Sequence, residues 1–201
     1  MKTHNLPILT IALLSLLAVI HVLSPDKSLL WFGQSEITQG QYWRLVTGHL
    51  VHADWSHLVW NALGLTVLGW LIERRSRPCL AVALAAGIAA VSLLLVSPLS
   101  DLDYYCGLSG VLNALLVVAL WFEWRTSKSR WVAMVAIACL FKAVFETVMG
   151  DSLITQISWP PFALSHLAGI AGGLMVLMSG RTLMKIRNRP GSASIDQLQK
   201  L

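Results

Sequence analysis

The fold is decided by residues 57–75, which read HLVWNALGLTVLGWLIERR. A helix needs about 20 mostly apolar residues to cross the hydrocarbon core of a bilayer. Arginines and lysines collect at the cytoplasmic end of such a helix, and this stretch ends in two arginines. It therefore predicts a transmembrane helix that runs from outside to inside, with the polar side chains of His57 and Asn61 near its outer end.

The composition of the whole chain is that of a membrane protein. Hydrophobic residues make up 56% of the 201 residues and charged residues only 12%, which is about half the charged share that is usual in soluble domains. A soluble domain of this size has too little interior to bury so much apolar surface. We therefore expect one domain, residues 1–201, that is an integral membrane protein.

Six apolar runs predict an all-α bundle of six transmembrane helices. Their approximate ranges are 6–23, 57–72, 80–96, 107–121, 131–149 and 162–184, followed by a basic tail at 185–201. The segment between the first two runs, residues 25–56, is too polar to span a membrane and contains Trp31, Trp43 and Trp55. Because tryptophan favours the headgroup region, we expect this loop to lie in the membrane interface.

Basic residues indicate the direction of the spans. They lie in three short clusters between or after apolar runs: Arg74, Arg75 and Arg77; Arg125, Lys128 and Arg130; and Arg181, Lys185, Arg187 and Arg189. The positive-inside rule places these clusters, and therefore both termini, in the cytoplasm. The formal net charge of +5 is thus explained by membrane topology, and the pattern argues against a nucleic-acid partner.

Polar side chains inside apolar runs are the candidate functional residues, because an unpaired polar group is costly in hydrocarbon. The second, fourth and sixth runs all enter from the outer side. His57, Ser109 and His166 each lie within about two turns of the start of their run, so at a rise of about 1.5 Å per residue they reach a similar depth. With Asn61, three helices therefore bring a serine, two histidines and an amide to one layer.

Acyl transfer is the chemistry that this layer suits. A serine hydroxyl is a poor nucleophile until a base takes its proton, and histidine is the usual base. A second histidine and an asparagine can donate hydrogen bonds to an oxyanion. On the sixth run, His166, Gly169 and Gly173 share one face, so that this helix can pack closely on the fourth and bring His166 to Ser109.

Each of these residues also has a structural interpretation. Ser109 can be a helix-packing serine and His166 a buried structural histidine, while His57 and Asn61 can hydrogen-bond each other one helical turn apart. The structural interpretation requires all four features to coincide at one depth, so catalysis is the preferred hypothesis.

The cysteines indicate neither a disulfide framework nor a metal site. Cys79, Cys106 and Cys139 show no CxxC spacing and no spacing typical of metal ligands. We expect three unpaired, mostly buried thiols, and the sequence calls for no cofactor and no metal.

Several segments resemble the rhomboid intramembrane serine proteases. They are Trp43-Arg44, His52, HxxxN at 57–61, the acidic Glu73, GLSG at 107–110 and SHLAG at 165–169. The resemblance implies a six-helix rhomboid fold, with Ser109 as nucleophile and His166 as general base in a dyad without a third acid. It also implies an oxyanion hole of His57, Asn61 and the backbone N–H of Ser109, and a structural role for Trp43 and Arg44.

A finer resemblance is to the rhombosortase branch, on the run TGHLVH at 47–52 and the run YCGLSGVL at 105–112. That branch is implicated in processing bacterial surface proteins that end in a Gly-Gly motif, a short hydrophobic helix and a basic tail. The resemblance implies transmembrane protein substrates, surrounding membrane lipids, and an inner-membrane location with the active site open to the periplasm. The sequence specifies no oligomeric state.

Asn113 departs from the family pattern. Many rhomboids carry an aromatic residue or a histidine one turn after the serine, where it packs on the catalytic histidine. An asparagine at this position can instead hydrogen-bond His166 or the substrate backbone.

Two other classes of function compete with a protease. A catalytically inactive rhomboid-like protein that binds membrane clients usually lacks the serine or the histidine, and both are present here. A small transporter or channel would use the charged pair Lys142 and Glu146, but the chain shows no repeated halves. As an i, i+4 pair these two residues can satisfy each other; by the rhomboid resemblance they also flank the route by which substrate reaches the site.

Overall fold

The computed structural model describes residues 6–24, 26–149 and 162–187. Its long helices are α1 (Ile8–Leu23), α4 (Trp55–Glu73), α5 (Arg77–Leu95), α6 (Ser109–Ser127), α7 (Arg130–Met149) and α8 (Leu164–Arg187). Between α1 and α4 lie a 3₁₀ turn (Lys27–Leu29), strand β1 (Phe32–Gly33) and the short helices α2 (Gln34–Thr38) and α3 (Arg44–Thr47), and strand β2 (Tyr104–Tyr105) precedes α6.

Local signals set the helix ends. The side chain of Asp54 accepts a hydrogen bond from the backbone N–H of His57 and caps α4, and the side chain of Ser76 caps α5 in the same way. Helix α6 ends where Lys128 adopts a left-handed conformation, with φ 51°. Each long helix lies close to one of the six predicted ranges.

Helix α6 occupies the centre of the bundle. It packs against α4, α5 and α8, and α7 packs against α6 and α8. None of residues 109–124 is exposed, and Val111, Leu115 and Val118 are fully buried. A helix that is apolar all round belongs in the interior, so the serine at the start of α6 is held on the most enclosed element of the described structure.

Small residues let α8 approach α6 closely, as the sequence predicts. A Cβ at Gly169 would collide with the carbonyl of Gly110, and one at Gly173 would lie 2.6 Å from the carbonyl oxygen of Ala114. This close packing is what carries the start of α8 to the start of α6.

Glu73 ties α1 to α4. Its buried carboxylate accepts hydrogen bonds from the backbone N–H groups of Leu9 and Thr10, at 2.9 and 2.8 Å, and from the Thr10 hydroxyl at 2.8 Å. Arg77 pairs with it at 2.9 Å. The acidic position that the family resemblance picks out therefore satisfies the otherwise open first turn of α1.

The loop between α1 and α4 is an ordered scaffold. The guanidinium of buried Arg44 donates to the carbonyls of Ser28 and Trp31 and to the side chain of Gln41, at 2.6, 2.9 and 2.8 Å. Strand β1 pairs antiparallel with β2, which places Phe32 opposite Tyr105. The expected structural role of Arg44 is confirmed by these bonds, and the loop is connected directly to the segment that precedes Ser109.

The helices have the surface of a membrane protein. Three of them, α4, α5 and α7, are long and apolar enough to cross a membrane, and α1 and Leu164–Ser179 of α8 are shorter apolar helices. Large apolar side chains face outward along the bundle, for example Val67 on α4 and Ile137 on α7. The membrane location is thereby supported, while the number of six membrane crossings stays a prediction.

Helix α8 continues to Arg187, into the predicted tail, and residues 188–201 lie outside the described ranges.

Candidate active site

Ser109 is the first residue of α6, and a constrained turn presents it. Gly107 has φ 116°, a conformation that side chains other than glycine rarely adopt. Its N–H donates to the carbonyl of Gly48 at 3.0 Å, and the hydroxyl of Tyr105 donates to its carbonyl at 3.0 Å. Ser109 itself is half-buried, with its backbone N–H in the first turn of α6, where no intrahelical acceptor exists.

His166 meets Ser109 across the α6–α8 contact. Its Nε2 lies 3.3 Å from Ser109 Oγ, and it is the third residue of α8. With its Nε2 unprotonated, this histidine can accept the serine proton. The two residues that the sequence pairs as nucleophile and base are therefore brought together.

His57 lies beside the turn that carries the serine. A Cβ at Gly107 would be 2.5 Å from His57 Nε2, so the absence of a side chain at Gly107 makes room for this ring. Asn61, one turn along α4, donates from Nδ2 to the backbone carbonyl of His57 at 2.9 Å. The bond thus joins the Asn61 amide to the backbone, not to the imidazole ring.

Hydrogen-bonding groups without a protein partner remain at this position. Both side chains are buried, and within the described part of the chain His57 Nδ1 and Asn61 Oδ1 have no hydrogen-bond partner. Asn61 Nδ2 carries a second N–H beyond the one given to His57. A protonated His57 Nε2 and the start of α6, with its positive dipole end, add further donors near Ser109.

His52 supports the ring of His57. The two imidazoles pack edge to face with centroids 5.0 Å apart, and His52 is buried. Burial lowers the pKa of His52 to about 3, with a further contribution from repulsion by His57. The sequence singles out His52 only through the family resemblance; its contact with His57 depends on how the loop folds back on α4.

Asn113 bonds to its own helix and not to His166, which was one of the two partners considered for it. Its Nδ2 donates to the backbone carbonyl of Ser109 at 2.9 Å, four residues earlier on α6. A side-chain amide on a helix can reach the carbonyl of the preceding turn, and Asn113 uses the Ser109 carbonyl in this way. The amide stabilises the first turn of α6.

Glu146 is predicted from the sequence only as the charged partner of Lys142, and its contact with His166 is not foreseen. Its carboxylate oxygen Oε2 lies 3.4 Å from Nδ1 of His166 and 2.6 Å from Nζ of Lys142. The family resemblance implies a dyad with no third acid, but here an acid lies against the other nitrogen of the base. The signal that could have located it is position along the helices, because the end of α7 that carries Glu146 lies level with the start of α8.

Cys106, the thiol nearest to Ser109 in sequence, lies in surroundings that disfavour the thiolate. It is buried, and burial raises the pKa of its thiol to about 12; the reactive form of cysteine is the thiolate. Cys79, Cys106 and Cys139 are all free.

Among the described residues, no group of three or more His, Cys, Asp or Glu side chains is arranged to hold a metal ion.

Comparisons with known proteins match most of the chain to one family. A family model described as "Rhomboid domain" matches residues 39–181. The chain is also similar to "Rhomboid protease GluP" of Bacillus subtilis (strain 168), with 37% identity over 100 residues. That alignment covers 47% of this chain but only 20% of the length of the relative, so the chain spans about a fifth of that protein.

Proposed function

The chain belongs to the rhomboid family, and from that premise we propose that it is an intramembrane serine endopeptidase. Ser109 is the nucleophile and His166 the general base. The observation that carries the proposal is the 3.3 Å contact between Ser109 Oγ and His166 Nε2, made by the first turns of two closely packed helices.

The reaction proceeds through an acyl-enzyme. Ser109 Oγ attacks the carbonyl carbon of the scissile peptide bond while its proton passes to His166 Nε2. The tetrahedral intermediate collapses with cleavage of the C–N bond, and His166 gives that proton to the leaving amine. Water then attacks the ester with His166 again as base, the bond to Oγ breaks, and Ser109 regains its proton.

Stabilising the oxyanion requires hydrogen-bond donors close to Ser109. We assign this role to the backbone N–H of Ser109, to Nε2 of His57 and to the free N–H of Asn61. The position of Ser109 at the first residue of α6 and the packing of His57 on Gly107 support the assignment. Donors fixed before the reaction stabilise the charge without reorganisation.

A fluorophosphonate probe tests the proposal, because such probes label only activated serines. We expect the wild-type protein in membranes to be labelled and Ser109→Ala and His166→Ala to be unlabelled. Ser127→Ala, which changes a serine at the other end of the same helix, should label like wild type. An unlabelled wild-type protein would favour the second candidate, a catalytically inactive client-binding protein.

The substrates proposed are transmembrane proteins of the bacterial inner membrane, cleaved near the outer face. On the resemblance of residues 47–52 and 105–112 to rhombosortases, we propose clients whose C-terminal anchor follows a Gly-Gly motif. Mass spectrometry of such clients, co-expressed with wild type or with Ser109→Ala, should show a new C terminus near this motif only with wild type. Cleavage at other sites, or none, would remove this substrate class.

A further inference from the structure

One carboxylate oxygen of Glu146 lies close to two different side chains. Its Oε2 contacts Lys142 Nζ at 2.6 Å and His166 Nδ1 at 3.4 Å. The Glu146 side chain is 2% exposed, whereas that of Lys142 is 34% exposed. The carboxylate therefore faces the interior, toward the base, while the ammonium lies nearer the surface.

The geometry points to Glu146 as the positioning residue of the catalytic base, and this inference rests on the proposed function. The carboxylate accepts a hydrogen bond from His166 Nδ1–H, which selects the tautomer with Nε2 unprotonated and facing Ser109. It also stabilises the imidazolium that forms when Ser109 gives up its proton. The proton stays on His166 throughout, and Glu146 neither touches the substrate nor becomes protonated.

Lys142 supplies the opposite charge that a buried carboxylate needs. An isolated buried carboxylate is strongly disfavoured, and an opposite charge with good geometry offsets the cost. The two residues are one turn apart on α7, so the pair forms on a single helix face. The 2.6 Å contact supplies that opposite charge, and the second contact brings the same carboxylate oxygen to His166.

Helix α7 thereby becomes part of the catalytic machinery. The two proposed catalytic residues sit on α6 and α8, and α7 packs against both. A shift of α7 away from α8 would remove the carboxylate from His166 Nδ1 while leaving the contact between His166 and Ser109 in place. The base is then present but no longer held in one tautomer, which couples activity to the position of α7.

The rate of Ser109 labelling by a fluorophosphonate tests the inference, measured alongside kcat and KM for a client. We expect Glu146→Gln to label on the order of 10²-fold or more slowly, since loss of the acid partner of a catalytic histidine has cost up to about 10⁴-fold in a serine protease. The loss should fall on kcat and leave KM unchanged. Glu146→Asp, which keeps the charge, should recover part of the rate.

Glu73→Gln is the matched control, because Glu73 is another buried carboxylate paired with a basic residue but far along the bundle at the inner end of α4. It should lower thermal stability and leave the labelling rate per folded molecule unchanged. If Glu146→Gln does not fold, Lys142→Leu combined with Glu146→Leu leaves no unpaired buried charge and should fold, yet label slowly.

Three outcomes overturn the inference. In the first, Glu146→Gln labels within about threefold of wild type. In the second, the double variant labels like wild type but cleaves clients poorly, which would assign the pair to substrate access. In the third, the double variant is stable, labels normally and cleaves normally, which makes the pair structural. Failure of the proposed function is distinct, because the wild-type protein itself would then not label.

Discussion

At the scale of single residues, the oxyanion donors are the sharpest test of the chemistry. His57→Ala and Asn61→Ala each remove one proposed donor, and loss of one such donor typically lowers kcat by about 10²–10³-fold. We expect each variant to turn over clients more slowly by this order and still to label with the fluorophosphonate probe, since Ser109 and His166 are intact. Steady-state cleavage and labelling on the same preparations measure both.

Thr66→Ala is the control for these two variants, because Thr66 is an exposed residue of α4 whose hydroxyl bonds only to its own helix, at Ala62. It should cleave clients like wild type. Wild-type turnover in both His57→Ala and Asn61→Ala would assign these residues to structure, in line with the bond from Asn61 to the His57 backbone.

At this scale, the sequence predicts how far along its helix each site residue lies. It does not predict the direction in which each side chain points. Ser109 and His166 were predicted to meet because each lies near the outer end of its helix, and the structure brings them to 3.3 Å. Asn113 and Glu146 depend on which way a side chain turns about its helix axis. Asn113 bonds to its own helix, whereas Glu146 Oε2 lies 3.4 Å from His166 Nδ1 on α8; spacing along the chain does not distinguish these two cases.

At the scale of elements, the distance between α6 and α8 controls the base. A Cβ at Gly169 would collide with the Gly110 carbonyl, so Gly169→Ala must push the two helices apart. We expect lower thermal stability and a loss of labelling that exceeds the loss of folded protein, because even a shift of about 1 Å can cost on the order of 10²-fold in rate. Thermal unfolding and labelling rate, compared on the same sample, separate the two effects.

Ala171→Val serves as the control on α8, because Ala171 is exposed and two residues from Gly169. It adds volume to the same helix without facing α6, so stability and labelling should stay near wild type. Normal labelling in Gly169→Ala would mean that the approach of α8 does not set the contact between His166 and Ser109.

The same elements show why predicted helix ends differ from observed ones. The fourth apolar run was predicted to end at residue 121, but α6 continues to Ser127 through Glu123 and Arg125. Apolarity marks where a helix can lie in lipid, whereas backbone hydrogen bonding continues until a cap ends it. Here Glu123 pairs with Arg74 and Arg75 of the adjacent helix end, at 3.1 and 3.0 Å, which holds the extension in place.

At the scale of the whole molecule, polarity is distributed as a lipid-facing bundle requires. Charged and polar side chains such as Arg44, Glu73 and Glu146 are buried, while large apolar side chains such as Leu93 and Val148 are exposed. The composition predicted this class of fold because a high share of apolar residues indicates a surface that faces lipid and not water. It could not predict the ordered loop between α1 and α4, since that loop is held by backbone carbonyls that any sequence possesses.

Topology is the prediction that belongs to this scale. If Arg125, Lys128 and Arg130 lie inside, as the positive-inside rule predicts, we expect the turn between α6 and α7 to face the cytoplasm. We then expect the loop between α5 and α6 to face outward, on the side of Ser109. In a variant without Cys79, Cys106 and Cys139, Leu99→Cys should react with a membrane-impermeant maleimide in right-side-out vesicles. Ser127→Cys should react only after the membrane is permeabilised.

Both test positions are exposed, so a difference in reactivity reports the side of the membrane and not burial. A cysteine at either position that reacts fully after permeabilisation shows that the variant is folded and accessible. The reverse pattern, with Ser127→Cys reactive in sealed vesicles, would place the basic clusters outside. Ser109 and His166 would then open to the cytoplasm, and the proposed cleavage of surface-protein anchors near the outer face would fail even if the serine is active.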